Sequence, residues 1–184
     1  MEEGEVIKGM IYNFIAYDID KNLGRAYNKC MSLLDDDDWA VFLDHDAMFM
    51  QRDWYKEVSN TIKNNPSYGL FTCSTNRIGC PWQLVNGVDK DNHNIKYHKL
   101  VGKELEKNKN IVIDVTHSTV LLSGVVIIVS KKTWTTITGA KDGFLGVDND
   151  LHYKCRKNNI KVGFIPNIYT YHWYRGDGDI SHLN

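Results

Sequence analysis

Two carboxylates separated by one residue, Asp44 and Asp46, stand where the short apolar run Trp39–Leu43 gives way to polar sequence. Side chains alternate along an extended chain, so residues two apart share a side and His45 points away. Two hard oxygen ligands suit Mg²⁺ or Mn²⁺, which keep positions open for water and phosphate oxygens. A second acidic pair, Asp148 and Asp150, follows the glycine-punctuated stretch 139–147 at the start of an expected helix. Asp148 there serves as N-cap and Asp150 complements the helix dipole. On a loop flanked by glycine, Asp148 can also face a pocket as a general base. His172 ends the last apolar run, and an imidazole added to two carboxylates favours Mn²⁺. Arg175 carries a planar fork of donors suited to diphosphate oxygens. Trp82, Trp173 and Tyr174 offer flat faces that a sugar, or the core, could use.

The four consecutive aspartates at 35–38 make a contrast. They precede the strand rather than follow it, about 17 Å from Asp44 at roughly 3.3 Å per residue. That is the end of a sheet where ligands rarely bind, so they read as a solvated helix-to-strand turn.

The elements that must position these groups alternate between strand and helix, which points to an α/β domain. Strands are expected over 10–16, Trp39–Leu43, 68–73, 111–115, 120–130, 161–165 and 168–172. Helices are expected over 21–34, 53–64, 94–107, 131–138 and 148–157. The first helix carries an apolar stripe of Leu23, Ala26, Tyr27, Cys30, Met31 and Leu34, with Asp20 or Asn22 as its cap. The continuous apolar run Trp39–Leu43 is typical of a strand buried on both faces of a parallel sheet, and open sheets of that kind bind ligands at the carboxyl ends of their strands. Residues 74–94, with Gly79, Pro81 and Gly87, read as a long functional loop.

Bulk properties narrow the classes. The 184 residues suit one domain. The net charge of −1, from 22 basic and 23 acidic residues, argues against a nucleic-acid partner. No segment approaches the roughly 20 apolar residues of a membrane span. The acidic start carries no apolar run, and four scattered cysteines without C-x-x-C spacing fit free thiols. The expectation is a cytoplasmic protein.

Taken in order, these motifs resemble the GT-A glycosyltransferases, close to the large inverting family 2-like group. Asn22, Gly24, Ala26 and Asn28 match an N-x-G-x-A-x-N segment a short distance before the D-x-D of Asp44 and Asp46. Leu122-Ser123-Gly124 is similar to the region that lines the donor and acceptor sugars. Gly143-Phe144, followed by Asp148 to Leu151, is similar to a G-F…E-D-x-D-L segment whose first aspartate is the catalytic base. The resemblance covers about residues 10–175. It implies a single Rossmann-like GT-A domain with a mostly parallel central sheet flanked by helices. It further implies Asp44, Asp46 and His172 as metal ligands for Mn²⁺ or Mg²⁺. Ala16, Tyr17, Asp18, Asn22, Arg25, Asn28, Asp44 and Arg175 would form the nucleotide site, and Asp148 the base of an inverting transfer. The expected partners are a UDP- or GDP-sugar donor and a saccharide or other hydroxyl acceptor.

Two positions depart from the group. Val147 stands where the usual glutamate precedes the base. One strand precedes the first helix where the group has two and a D-D-x-S turn, so the nucleoside half is abbreviated. Two other readings compete. One is a non-catalytic nucleotide-sugar-binding protein on a degenerate transferase fold. The other is a nucleotidyltransferase, which would call for a glycine- and lysine-rich phosphate loop near the start.

Overall fold

The computed structural model describes residues 9–108 and 111–173. Its seven strands are β1 (Ile11–Phe14), β2 (Trp39–Leu43), β3 (Ala47–Phe49), β4 (Tyr68–Thr75), β5 (Ile113–Asp114), β6 (Val126–Ser130) and β7 (Lys161–His172). Its helices are α1 (Leu23–Met31), α2 (Trp54–Asn64), α3 (Ile95–Leu105), α4 (Lys131–Thr136) and α5 (Val147–Lys157). All seven strands join one sheet in the order β1-β2-β6-β4-β7-β3, with β5 also on β7.

Strand parity divides the core. Ala40, Phe42, Leu70, Ile127 and Val129 face α1, α4 and α5, which contribute Tyr27, Met31, Trp134 and Leu151. Val41, Phe71, Cys73, Val126 and Ile128 face the other way, onto Val58 and Ile62 of α2. The period-2 alternation of a strand thus serves two helical layers, as a sheet covered on both faces requires. At the far edge α3 packs on β7, where Met50, Tyr169 and Tyr171 join Ile95, Val101 and Leu105.

The sheet is mixed rather than mostly parallel. Only β1/β2 and β4/β7 pair parallel; β2/β6, β4/β6, β3/β7 and β5/β7 are antiparallel. Strand β6 threads between β2 and β4 in the opposite direction, and β3 and β5 both run against β7. Periodicity reports which residues are buried, not which way the strand runs.

Other boundaries moved for identifiable reasons. The apolar run from residue 120 becomes strand only at Val126. Before that, the Leu122 N–H bonds His152 Nδ1 and the Ser123 N–H bonds Gln83, so the segment is held as a wall. The strand expected over 111–115 shortens to two residues. The two strands expected after residue 161 are one strand, with an irregularity against β4 between Cys73/Ile165 and Ser74/Tyr169. Strand β3 was not expected at all. In the acidic turn, Asp35, Asp36 and Asp37 are exposed but Asp38 is only 6% exposed. Its carboxylate accepts from the Met10 and Asp35 N–H groups and ties β1 to the turn, so solvation does not describe it. Helix α5 begins at Val147, with Gly146 at the cap in a left-handed conformation (φ 68°), so Asp148 lies in the first turn and is not the N-cap. Cys30, Cys73, Cys80 and Cys155 are free thiols. Among the described residues no helix is long and apolar enough to cross a membrane.

Candidate metal centre

Strand β2 ends at Leu43, and the turn at 44–47 closes with the Ala47 N–H on the Asp44 carbonyl. The chain then enters β3, which pairs antiparallel with the end of β7 and sets Ala47 opposite His172. The Trp173 N–H bonds the Asp46 carbonyl in the same ladder. The acidic turn therefore crosses the sheet from β2 to the edge beyond β7, and that crossing brings Asp46 to His172. His172 Nε2 lies 3.3 Å from Asp46 Oδ1 and 3.9 Å from Asp44 Oδ2. One ligand atom from each of the three residues falls within 4.8 Å of the others.

The imidazole is held in one orientation. His172 is 4% exposed, and its Nδ1–H donates to the Arg77 carbonyl at 2.8 Å, leaving Nε2 toward the carboxylates. Asn76 holds the backbone on either side, accepting from the His172 N–H at 2.8 Å and donating to its carbonyl at 3.1 Å. Burial by itself would lower the imidazole pKa; the Asp46 bond, the Arg77 carbonyl and the charges of Asp46 and Asp44 outweigh it and raise it. Asp44 is pushed up to about 6 by burial, opposed by His172 and aided by the charges of Asp46 and Asp148. Two carboxylates and one oriented imidazole, crowded into partial burial, make a donor set that could hold a metal ion.

These groups line a cleft of about 710 Å³ at the carboxyl ends of β1, β2, β4 and β7. Asp148 lies on the same cleft, packed against Gly124: a Cβ at Gly124 would stand 3.0 Å from the Asp148 Cβ. Ala16, Tyr17 and Asp18 line it after β1, and Phe144 and Leu145 after the glycine-rich loop. His45, expected to point away, also reaches the cleft, because the segment turns there instead of continuing as strand.

Asp18 is not free to meet a ligand as a bare carboxylate. Its side chain is 2% exposed, and Arg25 grips it through Nε–Oδ2 at 2.7 Å and Nη2–Oδ1 at 2.6 Å. The Arg25 bonds hold its pKa far below the usual carboxylate range. Arg25, Asn22 and Asn28 do not line the cleft; they secure its wall. The Asn22 carboxamide oxygen accepts from Arg25 N–H as N-cap of α1 and from Gly143 N–H, both at 2.9 Å. Asn28 accepts from Trp134 Nε1 and Ala140 N–H and donates to the Ala140 carbonyl. Trp82 is turned inward, its edge on Phe164 and its Nε1–H on the Val120 carbonyl. Trp173 packs beside His93 and the α3 cluster. Arg175 and Tyr174 lie outside the described residues.

Several groups at the cleft carry no sequence signal of a role. Asn76 and Gln83 read as loop residues, yet both are buried: Gln83 holds Ser123 through its N–H and its carbonyl. Lys21 reads as a helix-start residue but lines the cleft. Tyr27 reads as one member of an apolar stripe but also lines it. Only the fact that these positions are polar inside apolar or loop sequence could have drawn attention to them.

Scans of the chain against protein-family models and against curated proteins find no match.

Proposed function

We propose that this chain is a metal-dependent glycosyltransferase of GT-A type, moving a sugar from a nucleotide diphosphate donor to a hydroxyl acceptor. The observation that carries the reading is the triad of Asp44, Asp46 and His172, with ligand atoms within 4.8 Å, in a cleft that also holds Asp148. A divalent cation bound there, Mn²⁺ or Mg²⁺, would neutralise charge developing on the departing diphosphate.

The remaining roles belong to the chain. Asp44, Asp46 and His172 would hold the cation, and the Arg77 carbonyl keeps Nε2 of His172 turned toward the two carboxylates. Tyr17 and Ala16 form the wall that meets the nucleoside, and the Arg25–Asp18 clamp keeps that wall rigid. Asp148 accepts the proton of the acceptor hydroxyl as it attacks the anomeric carbon from the face opposite the diphosphate, giving inversion. Gly124 supports this role because a Cβ there would stand 3.0 Å from the Asp148 Cβ and crowd its side chain. Val147 is 1% exposed and serves the core, so Asp148 is the carboxylate of that segment that reaches the cleft.

The test is release of nucleoside diphosphate from a panel of UDP- and GDP-sugars with Mn²⁺ and a broad acceptor mixture. Release should require the metal and vanish in Asp46→Ala. In Asp148→Asn, donor binding should persist while turnover falls at least 100-fold. Binding by the wild-type chain without turnover would overturn the transferase assignment, and retention of anomeric configuration would overturn the role of Asp148.

A further inference from the structure

Tyr27 sits on α1 among apolar neighbours and is 3% exposed. Its ring lies 4.2 Å from that of Phe42 and edge-on to Trp134 at 6.5 Å, centroid to centroid. A phenylalanine would fill that space equally well. The hydroxyl is what needs explaining: it is not one of the fully buried unpartnered polar atoms of the protein, and the residue that carries it lines the cleft. Among the described residues no group hydrogen-bonds the Tyr27 hydroxyl. Tyr27 instead lines the cleft.

We infer that the Tyr27 hydroxyl is a specificity contact, donating a hydrogen bond to one hydroxyl of the sugar carried by the nucleotide donor. The inference rests on the transferase reading and deepens it. One feature of the surroundings selects the sugar over the rest of the donor. Tyr27 shares the cleft lining with Asp44 and Asp148, and its phenol lies in the field of both. In the proposed reaction Asp44 belongs to the diphosphate side and Asp148 to the acceptor side, and what lies between them is the sugar ring. Burial, together with the charges of those two carboxylates, holds the phenol protonated, so it acts as a donor.

The contact is also rigidly placed. Asn22 and Asn28 pin the two ends of the first turns of α1 to residues 139–143, and Phe42 and Trp134 fix the ring. A donor held this way discriminates by leaving itself unpaired when the matching hydroxyl is missing.

The experiment is calorimetric binding in Mn²⁺ of UDP, GDP, UDP-glucose and GDP-mannose to the wild-type chain and to Tyr27→Phe, followed by singly deoxygenated sugars of the donor that binds. The variant keeps the ring, and an unchanged thermal midpoint would show that the fold is intact. Tyr27→Phe should bind the free nucleotide within about twofold of wild type and the nucleotide sugar about tenfold more weakly. One deoxy position should cost the wild-type chain about the same factor and cost the variant nothing. Equal binding of the nucleotide sugar by both proteins overturns the inference and leaves the transferase reading standing. So does a loss that falls equally on the free nucleotide. Failure of the wild-type chain to bind any of the four overturns both.

Discussion

Asp44 and His172 must both shed a proton before they can ligate a metal. A metal ligand must be an ionised carboxylate or a neutral imidazole, and both groups here have pKa values raised above their ordinary ones, Asp44 to about 6. As the pH falls, His172 takes up a proton above its ordinary range and Asp44 near about 6, and both protons compete with the cation. Mn²⁺ affinity measured between pH 5 and pH 8 should therefore weaken toward acid, by up to about tenfold per unit for each proton displaced. A flat profile would count against this ligand set. Asn76 gives a second prediction at this scale. Its side chain spans the His172 backbone, so Asn76→Ala should weaken Mn²⁺ binding by about 10- to 100-fold while the fold persists, checked by titration beside a melting curve. The acidic pair was legible because two carboxylates one residue apart at the end of an apolar run are unusual. Asn76 was not, since nothing local distinguishes a buried asparagine from an exposed one.

At the scale of elements, the wall of the cleft depends on α1 being joined to the loop at 139–143. Asn28 alone makes three bonds there, to Trp134 and to both backbone groups of Ala140. Asn28→Ala leaves those groups without partners in a half-buried setting and should cost about 2 kcal/mol, read from urea denaturation. Asn22→Ala removes both the N-cap bond and the tie to Gly143, and should cost about 1–2 kcal/mol. Equal denaturation midpoints for wild type and variants would show that these bonds are replaced by water at no cost. Helix positions were readable because capping residues and the 3.6-residue stripe are local signals: α1, α2 and α3 fall within their expected spans, with Asn22, Asp53 and Asn94 at the caps. The expected strand from residue 120 was misread in its first half, because apolar residues that line a wall and apolar residues in a ladder look alike in sequence.

Across the whole molecule, two buried histidines link stability to pH. His152 accepts from the Leu122 N–H through Nδ1 and donates through Nε2 to the Val115 and Thr116 carbonyls. His98 meets the Tyr169 hydroxyl and the Asn92 carbonyl in the same neutral pattern. Burial lowers both pKa values. The unfolded chain therefore binds protons that the folded one refuses below about pH 6.5, and stability should fall as the pH drops through that value toward 5. Asp44 and His172, whose raised pKa values take up protons in the folded state, work in the opposite direction. Urea midpoints are therefore measured in a chain carrying Asp44→Asn and His172→Gln; a midpoint unchanged there between pH 7 and pH 5 would contradict it.

The chain's local chemistry by itself determined that this is an α/β protein, where most helices begin, and that Asp44 and Asp46 share a strand end. Those features depend on residues within a few positions of one another, so a linear reading reaches them. Tertiary structure alone decided that β6 runs against its neighbours and that β3 carries the acidic turn to the end of β7. It also decided that Tyr27, one member of an otherwise apolar stripe, lines the cleft. Each of these depends on contacts between segments far apart in the chain, where the free energy comes from packing and pairing that no local pattern records.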